Sequence, residues 1–422
     1  MRHATTAALL ATVATALTAA PAFATNGYFS HGYGTHYKGM AGAGVALRLD
    51  SLAPATNPAA MAFLGSRFDA SLGLFNPNRS YEVVGNPSGY PGTFGLTPGK
   101  VESDSRYFPI PGFGANWSVG DNAAFGLTLY GNGGMNTDWP TATFYASSPT
   151  GVNLSQMFVA PTYAVRIAGR HGLGVTAIGA VQWFKAEGVA SFAPFSSAPS
   201  KLSNNGTSYS YGGGVRVGYL GEWSKYFSFG ASYQTKVWMT KFDNYAGLFA
   251  EQGGFDIPAN WVVGVAVKPT EKVDIAIDVQ QVLYSGVASV GHPLLPNLMQ
   301  APLGADGGAG FGWKDMTTVK GGVELRAGDG WTWRAGYSYG KQPIPQTDVL
   351  FNILAPGVME QHLSVGFSKA IKATQELSVA ITRAFSKKVT GPNPLEVPGL
   401  QSIGLEMDQW DFEIGWSFGI RK

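Results

Sequence analysis

Apolar and polar residues alternate with a period of two along most of the chain. In QWDFEIGWSFGI, residues 409–420, Trp410, Phe412, Ile414, Trp416, Phe418 and Ile420 fall on one face. Asp411, Glu413, Gly415, Ser417 and Gly419 fall on the other. Successive side chains of a strand point to opposite faces, so this stretch reads as a strand with one wholly apolar face. The period recurs. Val273, Ile275, Ile277 and Val279 oppose Asp274 and Asp278; Val319, Val323 and Leu325 oppose Lys320 and Glu324. Trp331, Trp333, Tyr337 and Tyr339 oppose Arg334; Tyr209, Tyr211, Val215, Val217 and Tyr219 oppose Arg216. Aromatics gather towards the segment ends, as the two girdles of a membrane barrel require.

The pattern predicts fourteen strands, at 66–84, 106–119, 122–131, 152–168, 172–191, 207–221, 226–242, 255–268, 272–285, 314–326, 331–341, 358–370, 374–388 and 402–420. Six short turns, among them GDN, GRH and AGDG, interleave with seven long loops. The fold class is therefore all-β: a transmembrane antiparallel barrel with turns in the periplasm and loops outside.

Composition sharpens this picture. Only 13% of residues are charged, the formal net charge is +2, and 57 of 422 residues are Gly. That balance gives no basis for nucleic-acid binding. With no cysteine, disulfides and thiolate metal sites are excluded. Residues 1–24 have a basic head, an Ala/Thr-rich apolar run and an Ala22-Phe23-Ala24 end, the pattern of a cleaved signal peptide. No later apolar run is long enough for a spanning helix.

Residues 25–65 do not alternate and precede the barrel, 66–422. They form either a periplasmic tail or a plug, and the space inside fourteen strands favours a plug. Their Gly and Ala content suits close backbone packing.

Candidate chemistry is sparse. Gly131, Asn132, Gly133 and Gly134 weaken strand pairing, and mark either a lateral opening or a strand ending in a loop. Leu294, Leu295, Leu298 and Met299 form an apolar cluster in a long loop. They either capture an apolar ligand or pack the loop against its neighbours. Lys320 and Arg334 face the lumen, where they contact an anionic ligand or pair with nearby carboxylates. Six histidines form no Ser-His-Asp series and no metal-like pair, so no enzyme, metal or cofactor is expected. His362, near a strand start, is the one histidine an enzyme reading would use.

At this point the chain resembles the FadL/TodX family of outer-membrane channels for hydrophobic compounds. The motifs are NGYFSHGYGTHYKGMAGAGVAL, DSLAPATNPAAMAFL, and the series from FGWKDMTTVKGGVEL to RAGYSYGKQPIP, followed by ILAPGV. The resemblance implies a fourteen-stranded barrel with an N-terminal hatch. It places Asn26, Gly27, Tyr28 and Phe29 at the hatch start, with the two aromatics as a stopper in a pocket or a merely packed start. Asn57, Pro58 and Ala59 fall where the hatch meets the first strand. It also favours a lateral opening at Gly131–Gly134. The implied function is passive uptake of hydrophobic small molecules, long-chain fatty acids foremost, by capture, hatch movement and lateral release. Alternatives are an aromatic hydrocarbon or alkane channel, a diffusion porin, or a barrel enzyme. The expected setting is the outer membrane of a Gram-negative bacterium, as a monomer among lipid and lipopolysaccharide.

Overall fold

The computed structural model describes residues 26–419; the proposed leader, Thr25 and Ile420–Lys422 lie outside the described residues. Fourteen long antiparallel strands make the wall. They are β1 (Arg67–Val84), β2 (Phe108–Val119), β3 (Ala123–Trp139), β4 (Thr150–Ile167), β5 (His171–Glu187), β6 (Ser208–Glu222) and β7 (Phe227–Gln234). Then come β8 (Asn260–Thr270), β9 (Val273–Val282), β10 (Met316–Gly328), β11 (Trp331–Gly340), β12 (Gln361–Lys372), β13 (Gln375–Pro392) and β14 (Ser402–Phe418). Each pairs with its sequence neighbour, and β1 pairs with β14 from Phe68↔Phe418 to Val84↔Ser402. Pairing of β1 with β14 removes the two terminal sheet edges, as a lipid-embedded backbone requires. Two accessory strands in the long loops, Gly99–Glu102 and Trp238–Met239, pair with β1 and β6.

The alternation maps onto lipid and lumen. Trp410, Phe412, Ile414 and Phe418 are exposed on the outer face, while Asp411, Glu413 and Ser417 are buried inward. On β11, Trp333, Tyr337 and Tyr339 face out and Arg334 is buried. One barrel end carries turns of two to four residues, and the other carries the long loops.

Several strand ends differ from the expectation by four or five residues, among them the eighth strand's start at Asn260 instead of 255, and two differ by eight. The third strand was expected to stop at Gly131 and instead runs to Trp139. Asn132–Thr137 are all buried, so the two faces of this strand do not differ and the period disappears. The seventh was expected over 226–242 and ends at Gln234. Beyond it the chain enters a buried loop, with Val237, Phe242 and Tyr245 in an apolar core.

Residues 26–66 lie inside the ring, hydrogen-bonded to backbone or side chains of β1, β3, β6, β9, β10, β13 and β14. They contain one short helix, α1 (Thr35–Gly39), and two 3-10 turns, Ala53–Ala55 and Pro58–Phe63. Asn57 is extended, and its Oδ1 accepts from Ala59 N at 3.1 Å, capping the turn that Pro58 begins. Small wall residues make room for this segment. A Cβ added at Gly230 would strike the Val45 carbonyl, and one at Gly336 would strike the Met40 backbone. Above the plug, the loops 188–207, 235–259, 283–315 and 341–360 fold over the lumen. Their shared apolar core includes Phe242, Phe255, Leu294, Trp313 and Ile353.

Candidate functional site: plug, pocket and wall aperture

The plug is held by buried charge. Lys38 of α1 reaches Asp411 at 2.7 Å and Glu413 at 2.8 Å. His36 bridges Asp50 at 2.9 Å and Glu376 at 2.7 Å. Asp278 Oδ2 accepts from the Gly44 and Val45 amides at 2.7 and 2.9 Å. Asn57 Nδ2 donates to the Val45 carbonyl at 2.8 Å and to the Tyr219 carbonyl of β6 at 2.9 Å. Buried ion pairs of this kind fix one arrangement, and breaking one leaves an uncompensated charge.

The β2–β3 ladder is interrupted beside the plug. β2 and β3 pair only between Val119↔Ala123 and Gly112↔Tyr130. Past that point β2 runs back to Phe108 against β1, and β3 runs on to Trp139 against β4. The register shifts between Gly131 and Gly133, so Asn132 is a bulge. At the top, Asp104 N donates to the Asp138 carbonyl at 2.9 Å and closes the gap from the loop side. Two prolines, Pro109 and Pro111, lie where β2 separates from β3. Proline cannot donate to a ladder. Pairing with β1 continues past both while pairing with β3 stops at Gly112, so the donor-free edge faces the gap.

The plug fills this aperture with backbone. Phe29 bridges Gly133; Ser30 N donates to the Asn132 carbonyl at 3.1 Å, and Gly134 N donates to the Tyr28 carbonyl at 3.0 Å. Tyr33 Oη donates to the Asn132 carbonyl at 3.2 Å. Residues 28–30 therefore act as a short substitute for the missing strand partner. The approach requires a glycine: a Cβ at Gly133 would strike the Tyr28 carbonyl. Beneath the aperture a cavity of about 20 Å³ is lined by Ser30, Tyr33, Ile110, Pro111, Tyr130 and Gly131 among others.

Above it, Tyr28 occupies an aromatic box. Its ring centroid lies 5.3 Å from Phe29 and Tyr284, 5.8 Å from Trp313 and 6.2 Å from Phe255. The Tyr284 hydroxyl donates to the Asn26 carbonyl and accepts from Tyr28 N at 3.2 Å. Gly27 has φ 67 and lies against the Tyr284 ring, a conformation and a space that favour glycine. Leu294 and Leu298 are buried in the loop core, Leu295 is half-buried against it, and Met299 is 68% exposed. The apolar loop cluster thus divides between packing and surface.

Lys320 and Arg334 are engaged within the protein. Lys320 Nζ donates to the His31 carbonyl at 2.8 Å and stands opposite Asp278 in the ladder. Arg334 Nε pairs with Glu324 at 2.8 Å. His362 stacks on His31, with ring centroids 5.7 Å apart, and its Nδ1 lies 3.2 Å from Ser338 Oγ.

Pro109, Pro111, Tyr284, Trp313 and the buried amides Gln156 and Gln182 were absent from the sequence-derived candidates. The Pro-x-Pro in a strand was a readable signal for the aperture. The amides link Asn132 to Gln156 at 3.0 Å, Gln156 to Gln182 at 3.1 Å, and Gln182 to the Phe255 carbonyl at 2.7 Å. They tie the bulge to the wall of the aromatic box.

Comparisons with known proteins agree with this architecture. The sequence matches the family described as "Outer membrane protein transport protein (OMPP1/FadL/TodX)" over residues 11–394. A search of curated proteins gave no match. Among solved structures, the P. putida toluene transporter TodX is 16% identical, with a TM-score of 0.69, covering 93% of this chain and 99% of that one. A Pseudomonas aeruginosa FadL homologue is 16% identical, with a TM-score of 0.68, covering 94% of this chain and 100% of its own. The Ralstonia pickettii toluene transporter TbuX is also 16% identical, with a TM-score of 0.64 and coverages of 93% and 99%. At such identities the structures establish the fold, and the sequence match establishes the family. The chain belongs to the OMPP1/FadL/TodX family, non-enzymatic outer-membrane barrels that transport hydrophobic compounds.

Proposed function

We propose that this channel takes up long-chain fatty acids passively, by capture at the outer loops, displacement of residues 26–30, and lateral release through the β2–β3 aperture. The observation that carries this reading is the interrupted ladder at Gly112↔Tyr130, stoppered by plug backbone. A water-filled pore would not help an apolar solute, whereas a side opening delivers it to lipid. Met299 and Leu295 supply the outer capture surface, and the box around Tyr28 supplies the pocket. Asn57, Pro58 and Ala59 form the joint on which the plug ends.

The test is uptake of labelled oleate by cells whose own fatty-acid channel is deleted. Wild type should restore uptake. Pro109→Val with Pro111→Val restores two ladder donors opposite β3 and should reduce uptake while the barrel stays folded. Unreduced uptake would remove the lateral route, and no uptake by wild type would remove the fatty-acid reading. A second reading, monoaromatic hydrocarbons, draws support from the aromatic box and from the toluene transporters that share this fold. Labelled toluene in the same cells separates the two.

A further inference from the structure

The loop between β11 and β12 holds the ILAPGV motif, for which neither the plug nor the wall accounts. Every residue from 348 to 360 is buried. A buried loop must place its backbone polar groups on partners, and here the contacts reach four parts of the proposed route.

The first is the outer loop of Leu294–Met299. Asp348 Oδ1 accepts from Leu294 N at 2.9 Å. The second is the aromatic box. Asn352 Oδ1 accepts from Trp313 Nε1 at 2.6 Å, while its Nδ2 donates to the Phe311 and Asp348 carbonyls, each at 2.7 Å. Both faces of this amide are engaged, so the Trp313 ring cannot turn without breaking its bond to Asn352. The third is the start of the plug. A Cβ at Gly357 would strike the Trp313 ring and lie 3.3 Å from the Gly27 carbonyl oxygen. The fourth is the loop end of β3, the lip of the aperture. Trp139 Nε1 donates to the Ile353 carbonyl at 3.1 Å, and Thr137 Oγ1 donates to the Leu354 carbonyl at 2.8 Å. The Trp139 ring packs edge-on against Tyr81 of β1 at 4.9 Å, past the point where β2–β3 pairing ends. Asn352, Ile353 and Leu354 are consecutive, and they leave a 3-10 turn, Phe351–Ile353. One buried turn thus holds a wall of the box on one side and the lip on the other.

We propose that Asn352–Leu354 is a positioning strut that couples the aromatic box to the aperture. Displacement of Tyr28, whose ring lies 5.8 Å from Trp313, shifts Trp313, and the strut passes that shift to Trp139 and Thr137. The proposal rests on the pocket and aperture reading above. Close-packed interiors transmit strain, and coupling between two sites acts equally in both directions. The strut makes release conditional on occupancy: the lip loosens when a ligand stands in the box.

The test is amide hydrogen exchange on the purified full chain, read by mass spectrometry, with heat-modifiable migration as the check on barrel integrity. Thr137→Val with Trp139→Phe cuts both lip bonds and keeps the side-chain shapes. Exchange should then rise about fivefold at Phe311 and Trp313, whose amides donate to the Ser289 and Val290 carbonyls, the range of one lost buried hydrogen bond. If the pair does not fold, Trp139→Phe alone carries the test. Asn352→Leu should raise exchange both there and at residues 135–139. Oleate or toluene added to wild type should raise exchange at 135–139, and the lip variant should lose this response. Unchanged exchange at Phe311 and Trp313 in the lip variant would overturn the strut. A ligand that alters the box of wild type but leaves 135–139 unchanged would also overturn it, with the uptake reading left standing. Coupled exchange in the variants, with neither ligand altering the box, would uphold the strut and remove the box as the pocket.

Discussion

Lys38 offers the sharpest test of whether the plug is held by charge. Its ammonium is buried between Asp411 and Glu413, at 2.7 and 2.8 Å. Lys38→Met keeps much of the aliphatic stem and removes the cation. Two buried carboxylates then face each other with only Thr35 Oγ1 on Glu413, at 2.9 Å, as a hydrogen-bond donor from the plug. Breaking a buried pair by removing one partner costs about 3–5 kcal/mol. At about 1.4 kcal/mol per tenfold, the ratio of undocked to docked plug should rise roughly 10²- to 4 × 10³-fold. The fourteen-strand ladder contains none of these side-chain contacts, so the barrel should stay folded. Planar-bilayer recordings read the outcome directly: Lys38→Met should spend far longer in high-conductance states, with heat-modifiable migration unchanged. Adding Asp411→Asn and Glu413→Gln removes the stranded charges and should return much of the closed time. A folded Lys38→Met channel as closed as wild type would refute the reasoning. So would a triple variant as leaky as the single one.

Gly336→Val places a side chain where the Met40 backbone now lies; limited proteolysis should then cleave the plug while sparing the barrel. Tyr28→Ala empties the aromatic box without touching the wall. It should increase the amount of hydrophobic compound that co-purifies, measured by mass spectrometry against wild type.

Much of the wall was legible because lipid on one side and a polar lumen on the other impose a strict period of two. β14 shows this best: every described residue from Trp410 to Phe418 falls on the expected side. Legibility failed where that contrast ends. Asn132–Thr137 are buried throughout, so a strand continuing past the bulge looked like a Gly-rich loop. The run 226–242 misled in the opposite direction. Val237 and Phe242 continue an apolar pattern, but they pack into the loop core rather than against lipid. Among site residues, Gly133 was readable as a break in pairing, though not as the place where Tyr28 and Phe29 dock. That contact spans more than a hundred residues of sequence, and no local pattern encodes it. The inward placement of Lys320, Arg334 and Arg216 was legible from parity alone. Which carboxylate the first two meet depends on the cross-strand register, with Asp278 opposite Lys320 and Glu324 opposite Arg334.

With the box around Tyr28 as the proposed pocket, the chain would be a tethered competitor for its own ligand site. A ligand's apparent affinity is its intrinsic affinity scaled by the fraction of time the pocket is vacant. Substitutions at Lys38, His36 or Asp278, remote from any ligand, would then tune sensitivity as strongly as changes in the pocket lining. Two relatives with identical pockets could respond to different concentrations of the same compound, and the difference would lie in how firmly each holds its first few residues.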